Sequence, residues 1–249
     1  MIRVAHLYPD YLNIYADRGN IAVLDRRAAW RGFALEVTPI GVGTPLTGDY
    51  DLVYVGGGQD REQALIASDL ASRAEPLAEL VRNRAAVLAV CGGYQLLGRG
   101  YRGVAGEDLP GAGVFPLVTV AGERRMIGDV LLECELDAGE KRTVAGFENH
   151  AGRTVLDDAA EPLGRVVAGF GNDGASGYEG CRVGNAVGTY LHGPLLPRNP
   201  WLADWLLVRA VEHRTGERPV FEALPDELER AAHAVSAERA RSRGGRFST

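Results

Sequence analysis

In the stretch AVLAVCGGYQLLG (residues 85–97) an apolar run ends at Cys91, two glycines follow, and an apolar segment of helical character begins. A thiol placed where a strand meets a helix sits where open α/β sheets collect their functional groups. The free amides and positive end of that helix favour a thiolate over a thiol. Gly92 and Gly93 let the chain turn sharply, and they leave the Gly92 amide free to meet a substrate oxygen. This is the logic of a nucleophile elbow with cysteine in the place of serine, although Ala89 stands where that motif has glycine. The competing reading is a buried filler cysteine followed by a turn. A base at the same sheet edge decides between the two.

Of the five histidines, His6 lies inside a predicted strand, and His213 and His233 read as solvated or structural. His150 ends GFENH, which reads as a loop, and competes for the role of base. His192 ends the strand-like AVGTYLHGP and precedes Gly193 and Pro194. It therefore stands at a strand terminus like Cys91, where an imidazole can take and return a thiol proton. A third element is VYVGGGQDREQ (residues 53–63). Its three glycines resemble a phosphate cradle, but the P-loop lysine and the dinucleotide fingerprint are both absent. The remaining functional reading is an oxyanion hole built from the amides of Gly57 or Gly58 together with that of Gly92.

These residues need a scaffold, and the sequence predicts one. IRVAHLY (2–8), ALEVTPI (34–40), DLVYVGGG (51–58) and AVLAV read as strands, alternating with a helix over 19–33 and helical patterns between 59 and 84. Such alternation predicts an α/β fold with a mostly parallel central sheet flanked by helices. After residue 114 the texture becomes strand-like and broken by Gly, Asn and Asp, which predicts an antiparallel extension or an added layer on the same sheet. NPWLADWLLVRAVEHRTG (199–216) predicts a helix capped by Asn199, with Pro200 in its first turn and Gly216 at its end. The organisation expected is one α/β domain over 1–216 and an extension over 217–249, a weak helix followed by a disordered end.

Composition narrows the classes. With 249 residues, 46% hydrophobic and 24% charged, the chain has ample material for a core. A net charge of −6 gives no electrostatic reason to bind nucleic acid or an anionic membrane. No apolar run approaches the roughly 18 residues of a membrane helix, and the N-terminus has no signal-peptide pattern, so a cytoplasmic protein is expected. Cys91, Cys134 and Cys181 are odd in number and show no C-x-x-C pair, which argues against disulfides and structural zinc.

Taken together, VGGGQD, VCGGYQLLG and GTYLHGPLLPRNP resemble the class I glutamine amidotransferases, and more narrowly their CobB/CobQ-like branch. YPDYLNIYADRGNI and RRMIGDV narrow the resemblance to the GatD-type subunits that pair with the Mur-ligase-family protein MurT. The resemblance runs from about residue 3 to 212. It implies that Cys91 attacks the side-chain amide of L-glutamine and that His192 moves the protons. It also implies that Gln95 touches the bound glutamine and that Arg125 holds its carboxylate, a task suited to a guanidinium.

Pro194 occupies the slot where the wider class carries a glutamate that orients the histidine, so a dyad or an orienting group from elsewhere is expected, with Glu148 and Glu179 as candidates. No cofactor and no metal are expected in this chain. The resemblance assigns ATP and Mg²⁺ to a separate MurT-like ligase, which amidates the D-glutamate α-carboxylate of lipid II to D-isoglutamine in peptidoglycan synthesis. The alternatives are a stand-alone cysteine hydrolase or peptidase of similar architecture, which needs no partner and no glutamine, and a non-catalytic regulatory subunit.

Overall fold

Strands that are apolar along their whole length need cover on both faces, and those of the first half behave accordingly. The structure is a computed structural model, in which residues 1–103, 106, 108–158 and 160–243 are described. In chain order the elements are β1 (Ile2–Leu7), α1 (Arg18–Ala29), β2 (Leu35–Ile40), β3 (Leu52–Val55), α2 (Asp60–Ala71), α3 (Ala74–Arg82), β4 (Ala86–Val90) and α4 (Gly92–Leu96). There follow β5 (Gly100–Arg102), β6 (Asp108–Pro110), β7 (Leu117–Glu135), β8 (Lys141–Leu156), β9 (Gly164–Ala168), β10 (Tyr178–Glu179), β11 (Cys181–Val183) and β12 (Ala186–Thr189). Helices α5 (Pro200–Thr215) and α6 (Glu227–Arg243) complete the set.

The first sheet has the order β11-β12-β4-β3-β1-β2. Every pairing in it is parallel except that of β11 with β12. Strands β3, β4 and β12 are buried at every residue, as the centre of such a sheet must be. Pro39, which cannot donate to a ladder, lies in edge strand β2. Helix α5 packs on β1, β4 and α1. Arg27 of α1 is buried between two carboxylates, with Nε 2.7 Å from Asp204 and Nη1 2.7 Å from Asp226. Those pairs hold α1, α5 and the segment leading into α6 together.

The strand-like second half forms a sheet of its own rather than mainly an extension of the first. Its order is β10-β9-β7-β5-β6, with β8 pairing β7 as a long antiparallel hairpin. Only β11 and β12 join the first sheet. The segment GFENH, read as a loop, lies within β8. A backbone bridge ties β8 to the segment after β12: His192 N donates to the Phe147 carbonyl at 2.8 Å, and Phe147 N donates back at 3.2 Å. A β8 residue thereby fixes the backbone of His192.

Helix α5 starts at Pro200 and ends on left-handed Gly216, but Asn199 does not cap it through its side chain. Asn199 Oδ1 accepts from Ala145 N at 2.9 Å, and its Nδ2 donates to the carbonyls of Ala145 and Leu195. Tertiary pairing with β8 has displaced the local cap. Past residue 216, α6 lies on β7, β8 and β9, with Ala237 and Ala240 buried against Leu131 and Ala145. Residues 244–249, expected as a disordered end, lie outside the described residues. Among the described residues no helix is long and apolar enough to cross a membrane.

Candidate active site

Because β4 and β12 are neighbours in parallel register, with Val90 opposite Thr189, the residues that follow them leave the sheet at one edge. Those residues lead to Cys91 and His192. Cys91 N donates to the Thr189 carbonyl at 2.8 Å, and the Cys91 carbonyl accepts from Gln95 N at 2.9 Å, closing the first turn of α4. Cys91 itself has φ 48° and ψ −107°, a strained conformation for a residue with a Cβ. Such strain persists where a side chain is held for function. Gly93 follows where a Cβ would lie 2.7 Å from the Gly56 carbonyl oxygen, so only glycine permits this turn against β3. Cys91 lines a cavity of about 390 Å³, shared with Gln95, Arg125, Tyr15, His150 and Gly58.

His192 is fully buried, and two acidic groups lie beside its ring. One is the Cys91 sulfur. The other is the carboxylate of Asp17, whose Oδ1 stands 3.8 Å from His192 Nδ1. Burial alone would lower the imidazole pKa, but the negative charge that Cys91 and Asp17 can place beside it outweighs burial and raises it to about 10. An imidazole placed in this way can take a proton from a thiol and keep the charge that results.

Asp17 is the residue of this site that the sequence reading missed. It precedes α1, it is fully buried, and its Oδ2 accepts from Gly57 N at 2.7 Å. A Cβ on Gly57 would lie 2.7 Å from His192 Cε1, so the glycine leaves room for the ring and also steers the carboxylate. Pro194, in the slot expected for a glutamate, packs on the first turn of α1, where a Cβ on Gly19 would lie 2.7 Å from its Cγ. Asn20 ties the same turn to the same loop, accepting from Leu196 N at 2.9 Å and donating to Tyr54 Oη at 3.0 Å. In the sequence DRGN this aspartate reads only as a helix cap, and nothing local marks it as buried.

Neither glutamate candidate faces His192. Glu148 accepts from the amides of Phe170 and Gly171 at 2.7 and 3.0 Å and lies 3.5 Å from His150. Glu179 accepts from Tyr190 N at 2.6 Å and pairs with Thr189 Oγ1. Burial is the main reason its carboxyl is raised from 4.5 to about 8. Between those values the folded protein keeps a proton that the unfolded chain has released, so stability falls as pH rises through that window. Glu179→Gln is expected to flatten the window by up to roughly 1.4 kcal/mol per pH unit. Urea midpoints measured from about pH 4.5 to 8 check this, and equal slopes in variant and wild type would refute it.

The other expected site residues fall as follows. The Gly57 amide is occupied by Asp17, which removes it from the oxyanion hole. The amides of Gly58 and Gly92 donate to no protein acceptor among the described residues, and a Cβ on Gly92 would lie 3.0 Å from Gly58 N. Gln95 is buried, with Nε2 donating to Tyr190 Oη at 3.1 Å. Arg125 is exposed at the cavity mouth. It lies in a bulge of β7, where the register slips between Ala121 and Met126, and bulges beside clefts re-aim side chains in this way. Its Nε and Nη2 donate to Oδ1 and O of Asn149, both at 2.8 Å.

His150 also lines the cavity, stacked on Tyr190 at 3.5 Å with Nδ1 against the Gly152 carbonyl. Burial lowers its pKa, and it does not meet Cys91 as His192 does. His213 and His233 are structural, bound to Asp51 and to Thr143 respectively.

Residues 3–200 match the CobB/CobQ-like glutamine amidotransferase domain. The chain is 39% identical over 86% of its length to the lipid II isoglutaminyl synthase (glutamine-hydrolyzing) subunit GatD of Staphylococcus aureus, covering 86% of that protein. It is likewise 39% identical over 91% of its length to the subunit of the same name from Streptococcus pneumoniae, covering 87% of it. In fold it is similar to PurLQS from Thermotoga maritima, with a TM-score of 0.59 at 15% identity, covering 86% of this chain and 99% of that one.

Proposed function

This chain belongs to the CobB/CobQ-like glutamine amidotransferase family, and from that premise we propose that Cys91 and His192 hydrolyse L-glutamine to supply ammonia to a partner ligase. The observation that carries this reading is the convergence of Cys91, His192 and Asp17 at one edge of the first sheet, opening on a cavity with Arg125 at its mouth.

In the proposed sequence the Cys91 thiolate attacks the side-chain amide carbon, and the oxygen of the tetrahedral intermediate takes hydrogen bonds from the Gly58 and Gly92 amides. The His192 imidazolium gives its proton to the departing nitrogen, which leaves as ammonia, and a γ-glutamyl thioester stays on Cys91. The neutral imidazole then takes a proton from water, whose oxygen displaces the sulfur as glutamate. Asp17 keeps the ring oriented and charged, the task a neighbouring glutamate performs elsewhere in the class. Arg125 holds the α-carboxylate, and Gln95, braced by Tyr190, contacts the amino-acid body of the substrate.

The S. aureus and S. pneumoniae relatives are subunits of lipid II isoglutaminyl synthase. The same destination is proposed here: the ammonia passes to a MurT-like subunit of the Mur-ligase family. That subunit uses ATP and Mg²⁺ to activate the D-glutamate α-carboxylate of lipid II and yields D-isoglutamine at the cytoplasmic face. Incubating the chain and that ligase with glutamine, ATP and lipid II tests this, with equal amounts of glutamate and amidated lipid II expected. Intact glutamine would overturn the hydrolytic assignment, and glutamate without amidation would overturn the acceptor.

Two substitutions separate the roles. Asp17→Asn keeps an acceptor for Gly57 N but removes the charge that raises His192. It is expected to lower kcat by about tenfold or more with KM little changed, and to move the basic limb of the pH profile to lower pH. A wild-type profile would remove Asp17 from the mechanism. Arg125→Ala deletes a charge-assisted contact of roughly 1.5–3 kcal/mol and is expected to raise the KM for glutamine by about 10- to 150-fold. An unchanged KM would place the carboxylate elsewhere.

A further inference from the structure

The turn that delivers Asp17 carries a second group to the same imidazole. Tyr15, in the 3-10 turn Ile14–Ala16, has φ 54° and ψ 37°, a left-handed conformation that bulky side chains rarely adopt. Tyr15 keeps 44% of its surface exposed, yet its inner side is held by three contacts. Its ring lies nearly perpendicular to that of His192, with centroids 5.0 Å apart, and edge-on to Phe147 at 6.4 Å. Its hydroxyl accepts from Asn149 Nδ2 at 2.6 Å. The Ile14 amide anchors the turn on the Gly57 carbonyl at 3.1 Å.

Asn149 is therefore shared. Its Oδ1 and carbonyl accept from Arg125 while its Nδ2 donates to Tyr15. One side chain thus links the proposed carboxylate site to the ring that covers His192. The titratable groups facing that imidazole are Cys91 at the start of α4 and Asp17 at the start of α1, with Tyr15 beside them. An aromatic ring against an imidazolium favours the charged form and excludes water, which strengthens its attraction to both anions.

We propose that Tyr15 is a positioning residue: its ring keeps His192 charged and shielded opposite Cys91, and its hydroxyl, through Asn149, keeps Arg125 aimed into the cavity. This rests on the reading of Arg125 as the carboxylate site and of Cys91 with His192 as the hydrolytic pair. Loss of the ring loosens the pair, and loss of the hydroxyl loosens Arg125 alone.

The test uses the full chain with its ligase partner, in wild-type, Tyr15→Phe and Tyr15→Ala forms, and two readouts. One is steady-state glutamine hydrolysis. The other is the pH profile of Cys91 alkylation by iodoacetamide, which needs no glutamine; its shape, rather than its absolute rate, separates ionisation from access. Tyr15→Phe keeps the ring and is expected to raise KM about three- to tenfold, with kcat within about twofold and a wild-type alkylation profile. Tyr15→Ala is expected to lower kcat at least about tenfold and to shift the alkylation midpoint to higher pH. An unchanged KM in Tyr15→Phe, or an unchanged alkylation profile in folded Tyr15→Ala, overturns the proposal. Should wild type release no ammonia while the two alkylation profiles still differ, the glutaminase reading fails and the coupling of Tyr15 to the dyad stands.

Discussion

Cys91→Ala is expected to abolish ammonia release from L-glutamine, with a fall of at least about 10⁴-fold, as is usual when a nucleophile is deleted. No second thiol can replace it. Burial pushes the Cys134 thiol upward and the Cys181 thiol to about 12, so both stay protonated at neutral pH. Both also lie in strands, Cys134 in β7 and Cys181 in β11, away from the cavity that Cys91 lines. The variant keeps the Cβ that defines the strained turn at residue 91 and loses only a small buried sulfur. Its melting temperature is therefore expected to stay within roughly 5 °C of wild type. A folded Cys91→Ala protein that still hydrolyses glutamine would end the nucleophile assignment.

His192→Ala is expected to lower kcat by about 10²- to 10⁴-fold, and the double variant with Cys91→Ala is expected to be no worse than Cys91→Ala alone. Nucleophile and base act as a unit, so their deletions do not add. The size of the loss follows from the geometry. The ring is sealed from solvent, its charge is set by Cys91 and Asp17, and its backbone is clamped by Phe147. Because a buried ring leaves a cavity, His192→Gln serves as the better-packed control; it fills most of the volume but moves no proton. Additive losses in the double variant would mean that Cys91 and His192 serve different steps or different sites.

How far the sequence alone led depended on whether the deciding interaction was local. The buried runs of β3 and β4 and the glycines around Cys91 announced a parallel sheet with a cysteine at its edge. His192 was found by the same local rule, a polar residue where a strand stops. The second sheet was not separable in this way, because short strands broken by glycine read alike whichever sheet they join; only pairing partners divide β9 and β10 from β11 and β12. Asp17 was hidden for a similar reason. An aspartate ahead of a helix looks like a solvated cap, and the groups that meet its carboxylate, Gly57 and His192, come from distant parts of the chain. Gly57 misled in the opposite direction. Its glycine was needed, but as room for the His192 ring and a donor to Asp17 rather than as part of the oxyanion hole. Arg125 stood out through family resemblance alone, since the bulge that aims it arises from a register slip in β7 that no residue pattern announces.

Covalent trapping tests the central claim most directly. The protein and its ligase partner are treated with 6-diazo-5-oxo-L-norleucine, a glutamine analogue that alkylates an attacking thiolate, and digested for peptide mass spectrometry. The account predicts a single adduct, on Cys91, that is suppressed by excess L-glutamine and by His192→Ala. An adduct on Cys134 or Cys181 instead, or an unmodified Cys91 in protein that still releases ammonia, would contradict it.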